Sequence, residues 1–180
     1  MAANAAGRAG AAEAGCRSRS GCWAVINGAI RRTTLRPTGG AALRPVPMTL
    51  ELLYPDWPAP PQVQACVTTR RGGVSTGPWH SLNLADHVGD APAAVQANRD
   101  RLRARAGLPG EPLWLQQVHG TVVADDAMPA PGVAADARTS VCPGVVCAVL
   151  TADCLPVLFC DRDGAQVAVA HAGWRGLLHG

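Results

Sequence analysis

Three residues of types suited to metal or nucleophilic chemistry stand at the ends of apolar, β-prone runs. Cys154 closes Thr151-Ala152-Asp153-Cys154 after one run, and His171 opens His171-Ala172-Gly173-Trp174-Arg175-Gly176 at the end of another. His119 lies in Leu115-Gln116-Gln117-Val118-His119-Gly120, after a short apolar segment and just before glycine. Sites are built at strand ends, so a thiol and two imidazoles can be delivered to one sheet edge. Two histidines and a cysteine match the ligand types of a catalytic zinc centre, which keeps a fourth position open for water or substrate. Each residue also has a plainer reading, the cysteine as packing and the histidines as hydrogen-bonded or surface groups. The three are scattered rather than arranged as HExxH or CxxC. A metal-free alternative makes Cys154 a nucleophile with His171 or His119 as its base.

The elements that must position them are legible in the last forty residues. Residues 145 to 151, 155 to 160 and 166 to 171 are apolar strand candidates, and Asp161-Arg162-Asp163-Gly164 makes a tight turn between the second and third. Their near-continuous hydrophobicity predicts strands buried on both faces, in a layered α/β or α+β core. Upstream, residues 63 to 69 form a β-prone run that ends in a glycine turn. Asp90 is expected to cap a helix with Pro92 in its first turn, Val95 and Leu102 on one face, and Gly107 and Pro109 at its end.

The chain of 180 residues, 48% hydrophobic and 16% charged, suits one globular domain with a sizeable core. Its net charge of +3 is uneven. Residues 1–47 hold seven arginines against Glu13, whereas residues 48–180 hold nine against twelve acids. The body is thus slightly acidic and has no aromatic-interleaved basic stripe, which argues against nucleic acid as a partner. No apolar run approaches the roughly 20 residues that span a bilayer, and the start lacks a secretory apolar core. No membrane partner is therefore expected, and the chain reads as soluble and cytoplasmic. Seven cysteines, an odd number with no CxxC, suggest reduced thiols rather than a disulfide framework.

Residues 1–47 are rich in Ala, Gly, Arg and Ser, with one short apolar stretch at 23 to 30, and are expected to be disordered. They read as an organelle-type presequence or as translation from a start codon placed too early, the latter preferred because Met48 begins an ordinary-looking domain. Residues 48–180 are expected to form that domain.

Five motifs in order carry a resemblance: Thr69-Arg70-Arg71-Gly72-Gly73-Val74-Ser75, Ser81-Leu82-Asn83-Leu84, the His119 motif, Thr151-Ala152-Asp153-Cys154-Leu155-Pro156-Val157, and the His171 motif. From about residue 50 onward the chain resembles the laccase-domain (YfiH-like) polyphenol oxidase and purine nucleoside phosphorylase family. The resemblance implies an α+β fold, a four-layer α/β/β/α sandwich with mixed sheets, and a zinc ion held by His119, Cys154 and His171. It implies phosphorolysis of adenosine, inosine and methylthioadenosine, with adenosine deamination alongside. Members are also described as copper-binding polyphenol oxidases and as peptidoglycan-precursor editing factors. Because the family continues for several dozen residues past the third ligand motif, the chain is expected to be C-terminally truncated.

On this reading purine nucleosides and phosphate are the partners. A phosphate must be held against C1′, and an arginine fork supplies bidentate contact, with Arg175 the first candidate and Arg70 the second. Asp153 would orient a ligand or accept a proton, and Asn83 would contact substrate; their plainer roles are backbone capping and an Asx turn. Copper is the alternative metal. Among five histidines no His-x-His pair serves a multicopper cluster. A single blue-copper centre would need a weak axial methionine, for which Met128 is the candidate that folding would have to bring close.

Overall fold

The computed structural model describes residues 22–28 and 49–180. In chain order these hold β1 (Cys22–Gly28), β2 (Leu52–Leu53), β3 (Val63–Thr68), α1 (Pro92–Ala106), β4 (Leu115–Gln116), β5 (Val123–Ala124), β6 (Val133–Ala134), β7 (Ala137–Ser140), β8 (Val146–Thr151), β9 (Leu155–Cys160), β10 (Val167–Ala172) and α2 (Trp174–His179). One four-stranded sheet runs β2-β3-β1-β8 and a second runs β5-β7-β10-β9, while β4 pairs with β6. Both large sheets are mixed. In the first, β1 is parallel to β3 and β8, and β2 is antiparallel to β3; in the second, β10 is antiparallel to β7 and β9, and β5 is parallel to β7.

Two apolar layers hold this arrangement. Between the sheets, Ile26, Val63, Cys147 and Val149 meet Val167 and Val169. On the other face of the first sheet, Val25, Cys66, Val146 and Ala148 pack with Leu102 of α1, Leu84 and Trp114. The inner strands β1 and β3 and the strand β8 therefore place buried residues on both faces, as apolar runs require, whereas β2 at the edge is half-buried to exposed. The burial of Cys66 and Cys147 pushes their thiols up to about 11 and about 12, so both pack as neutral groups. The fold is α+β with mixed sheets, and α1, the first sheet and the second sheet stack as three layers of the expected four-layer sandwich.

Three readings are corrected. Disorder was expected across residues 1–47, yet Cys22–Gly28 is a central strand, with Val25 opposite Cys66 on one side and Ala148 on the other. Its local signal is short, but its backbone is satisfied by distant strands and Ala24, Val25 and Ile26 are buried. The remainder of residues 1–47 lies outside the described residues. The second correction concerns β9, which alternates exposed and half-buried residues instead of burying both faces. It is an edge strand, and Leu155, Val157 and Phe159 reach solvent. Finally, the N-cap of α1 is Ala91, which makes no side-chain capping bond; Gly107 closes the helix in the left-handed conformation as expected.

Asp90 has a different task, accepting from the Ser75 hydroxyl at 2.6 Å, the Asn83 amide at 3.0 Å and the Ala91 N–H at 2.8 Å. The Ser75 bond, then the Asn83 bond, lower its pKa despite some desolvation, with the Ala91 N–H adding to them. A carboxylate depressed in the native state contributes stability that is present above its unfolded value near ~3.9 and lost as pH falls through the native value. Asp90→Asn is expected to flatten the fall of stability below about pH 4. Denaturant melts of both proteins across that range check this, and identical acid slopes would contradict it.

Candidate metal centre

Each candidate ligand is carried by an element whose position the sequence explains. Cys154 immediately precedes β9, at the tight connection from β8, and His171 lies in β10 opposite Pro156 of β9. Thus two antiparallel neighbours bring the thiol and one imidazole together. His119 arrives on the loop after β4, and Gln117 fixes that loop. Its side-chain amide donates to the Leu150 carbonyl at 2.8 Å and accepts from the Leu150 N–H at 2.7 Å, acting as a strand partner at the end of β8.

The result is a trio whose ligand atoms all lie within 4.8 Å of one another. Cys154 Sγ is 3.9 Å from His119 Nε2, and the two imidazole rings meet edge-on with centroids 4.8 Å apart. His171 is buried, whereas His119 and Cys154 are half-buried, so the group is open on one side. That donor set, two nitrogens and one sulfur on convergent elements, fits a transition-metal ion with an open position.

Asp136, between β6 and β7, underlies the trio and is a residue that sequence reasoning missed. It is 3% exposed, and its Oδ1 lies 2.9 Å from His171 Nδ1. The same carboxylate accepts from the backbone N–H groups of Val118 at 3.1 Å, His119 at 2.9 Å and Gly120 at 2.7 Å. Burial raises its pKa, but the His171 bond and the three N–H donors outweigh that and hold it below the ordinary carboxylate range. The one available signal was an acid inside the apolar stretch 133 to 137, since acids are almost never fully buried unless paired.

Gly173 closes the floor of the site. A Cβ there would lie 3.1 Å from His119 Cδ2, 3.3 Å from Cys154 Sγ and 3.4 Å from His171 Cε1. Gly173→Ala is expected to leave the fold in place and to weaken metal binding by about tenfold, the equivalent of ~1.4 kcal/mol, because all three ligands must give way at once. A metal titration alongside a thermal melt checks this; unchanged affinity would contradict it.

The trio opens into a cavity of about 1070 Å³, whose wall includes Arg70, Asn83, Asp153, Trp79, His80 and His87. Arg70 donates through Nε to the His80 carbonyl at 2.8 Å, which holds its guanidinium at the wall. Arg175 is exposed, stacks 5.3 Å from the Trp174 ring and is not part of that wall. Asp153 is exposed and next to Cys154. Asn83 donates to the Ala85 carbonyl at 3.0 Å and to Asp90, and accepts from the Ala85 N–H at 3.0 Å, which is the Asx-turn arrangement. Met128, the candidate axial ligand of a blue-copper centre, packs against the inter-sheet core and is not among the cavity residues. Trp79, His80 and His87 had no earlier role; Pro78-Trp79-His80 before Ser81 was the signal available.

Comparison with known proteins places the chain among relatives. Residues 64–180 match the family model described as multi-copper polyphenol oxidoreductase laccase. Purine nucleoside phosphorylase PA4543 of Pseudomonas aeruginosa is 59% identical over 128 residues, covering 71% of this chain and 52% of that protein. Purine nucleoside phosphorylase YfiH of Escherichia coli is 56% identical over 131 residues, covering 72% and 54%. Among solved structures, Neisseria meningitidis protein NMB0706 superposes with a TM-score of 0.65 at 54% identity, over 70% of this chain and 52% of that one. The chain spans about half the length of the curated relatives it matches. No helix among the described residues is long and apolar enough to cross a membrane.

Proposed function

Since the chain belongs to the family described as multi-copper polyphenol oxidoreductase laccase, we propose that its His119–Cys154–His171 centre serves a zinc-dependent purine nucleoside phosphorylase, with adenosine deamination as a second reaction of the same cavity. The observation that carries this reading is the joining of one His–Cys–His trio to a cavity large enough for a nucleoside and walled by an arginine. The relatives named purine nucleoside phosphorylase support the substrate class. A multicopper oxidase would need several histidine-rich copper sites, whereas the described residues offer one trio.

His119, Cys154 and His171 would hold the ion, which supplies Lewis acidity and an activated water when bound. Phosphorolysis joins a phosphate oxygen to C1′ of the ribose as the C1′–N9 bond breaks; its electron pair leaves with the purine, which takes up a proton. Arg70 would hold the phosphate, its position fixed by the His80 carbonyl. Trp79, whose indole N–H donates to the Val88 carbonyl at 3.0 Å, gives the wall a fixed aromatic surface against which a base can pack. Asp153, exposed beside Cys154, would orient a ligand or take up a proton, and Arg175 would serve substrate only from outside the cavity wall.

Product chromatography after incubation with adenosine, with and without phosphate, tests this reading. Adenine formed only with phosphate, together with ribose 1-phosphate, is expected. Inosine formed in both arms reports the deamination. Adenine formed equally without phosphate, or oxidation of a phenol with neither purine product, would contradict it.

A further inference from the structure

We propose that Asp136 is the positioning residue of this centre, a single carboxylate that sets both histidines for a metal ion. The proposal rests on the metal-centre reading above and goes beyond the three ligands. An ionised carboxylate can only accept hydrogen bonds, so at 2.9 Å it requires His171 Nδ1 to carry the proton and leaves Nε2 as the lone-pair donor. The backbone adds a second tie, since the His171 N–H donates to the Asp136 carbonyl at 2.7 Å.

The hold on His119 is different in kind. His119 has φ +59°, a left-handed conformation that a non-glycine residue keeps only when its surroundings impose it. That conformation turns the Val118, His119 and Gly120 N–H groups into one concave set of donors, and Asp136 is the anion they enclose. Oδ1 serves His171 Nδ1 and the His119 N–H, while Oδ2 serves the Val118 and Gly120 N–H groups. Both oxygens are therefore committed, and with Asp136 buried no water replaces either.

Asparagine has the same shape but cannot meet this demand. In one orientation its NH2 faces the Val118 and Gly120 donors and releases the His119 loop. In the other it faces His171 Nδ1, which then accepts and moves its proton to Nε2, blocking the ligand atom.

Zinc affinity of the wild type and Asp136→Asn, measured by competition with a chromophoric chelator and accompanied by circular dichroism, tests the proposal. Imidazole ¹⁵N spectra complete it. A 10- to 100-fold weaker affinity is expected in the folded variant. In the wild type His171 should show a protonated Nδ1, with Nε2 moving on zinc addition; in the variant that tautomer signature should be lost or mixed. Equal affinity in both proteins, or zinc on Nδ1 of His171, would overturn the proposal and leave the metal reading standing. A wild type that binds no zinc would overturn both. Should the variant fail to fold, the wild-type ¹⁵N assignment decides: protonated Nδ1 with zinc on Nε2 supports the role, and the reverse ends it.

Discussion

Replacing Cys154 by alanine is expected to remove bound metal and turnover together. The thiol is the one sulfur donor of the trio, and the two imidazoles it leaves are held by other elements, His171 by β10 and Asp136, His119 by Gln117 and its own loop. The histidines should therefore keep their places while the site drops from three protein ligands to two. If roughly 10 kcal/mol of apparent binding is shared by three ligands, losing one weakens affinity by a few hundredfold. Cys154 is half-buried and sits at a connection, so the fold should survive with little change in melting temperature. Metal analysis after gel filtration, beside a melt, reads both quantities. Full occupancy in the variant would contradict the ligand assignment, and turnover without metal would select the cysteine-nucleophile alternative.

Gly73→Ala is expected to destabilise the fold strongly. A Cβ on Gly73 would stand 2.1 Å from the Ser81 carbonyl oxygen and 2.5 Å from Leu82 Cα, and backbone cannot yield as a side chain can. These two segments are clamped further, because Ser81 and Leu82 both donate their N–H groups to the Arg70 carbonyl, and the Gly73 N–H donates to the Ser81 hydroxyl. Buried Asn98 ties the clamp to α1 by donating to Ser75, the Ser81 carbonyl and the Asn83 carbonyl while accepting from the Val74 N–H. Forcing the clamp apart should cost about 3 kcal/mol or more, the upper end of overpacking effects. It should also displace Arg70 and His80 from the cavity wall. Gly77→Ala is the control: its φ is +60°, but a Cβ there meets nothing within 4 Å, so only about 1 kcal/mol of backbone cost is expected. Denaturant titration of both variants should separate them clearly, and equal losses would contradict the close-approach account.

The same contacts explain what could be read from sequence. The strands at 146–151, 155–160 and 167–172 were legible because each is a short apolar run bounded by turn residues, a local property. The candidate trio could be named for a related reason, since residue type and position at strand ends are also local, although its scattered spacing left other readings open. β1 was hidden because a strand of seven residues is defined by its neighbours β3 and β8, which lie far along the chain. Asp136 was hidden for the same reason, its role arising from three N–H groups some sixteen to eighteen residues away and from a histidine thirty-five away. Asp90 looked like a helix cap from spacing, yet Ser75 and Asn83 compete for its carboxylate and Ala91 takes the N-cap position. Which arginine faces the cavity likewise depended on tertiary placement. The His80 carbonyl that holds Arg70 comes from ten residues further along the same β3–α1 connection.

The central claim is that His119, Cys154 and His171 bind one metal ion through two nitrogens and one sulfur. X-ray absorption at the metal edge of the purified protein tests it most directly, since it reads the element and its first coordination shell together. The account predicts zinc with one sulfur near ~2.3 Å and two imidazole nitrogens near ~2.0–2.1 Å, the remaining position filled by a light atom. A shell without sulfur, or with two or more sulfurs, would contradict the trio, and a copper edge with the same shell would keep the trio and replace the ion.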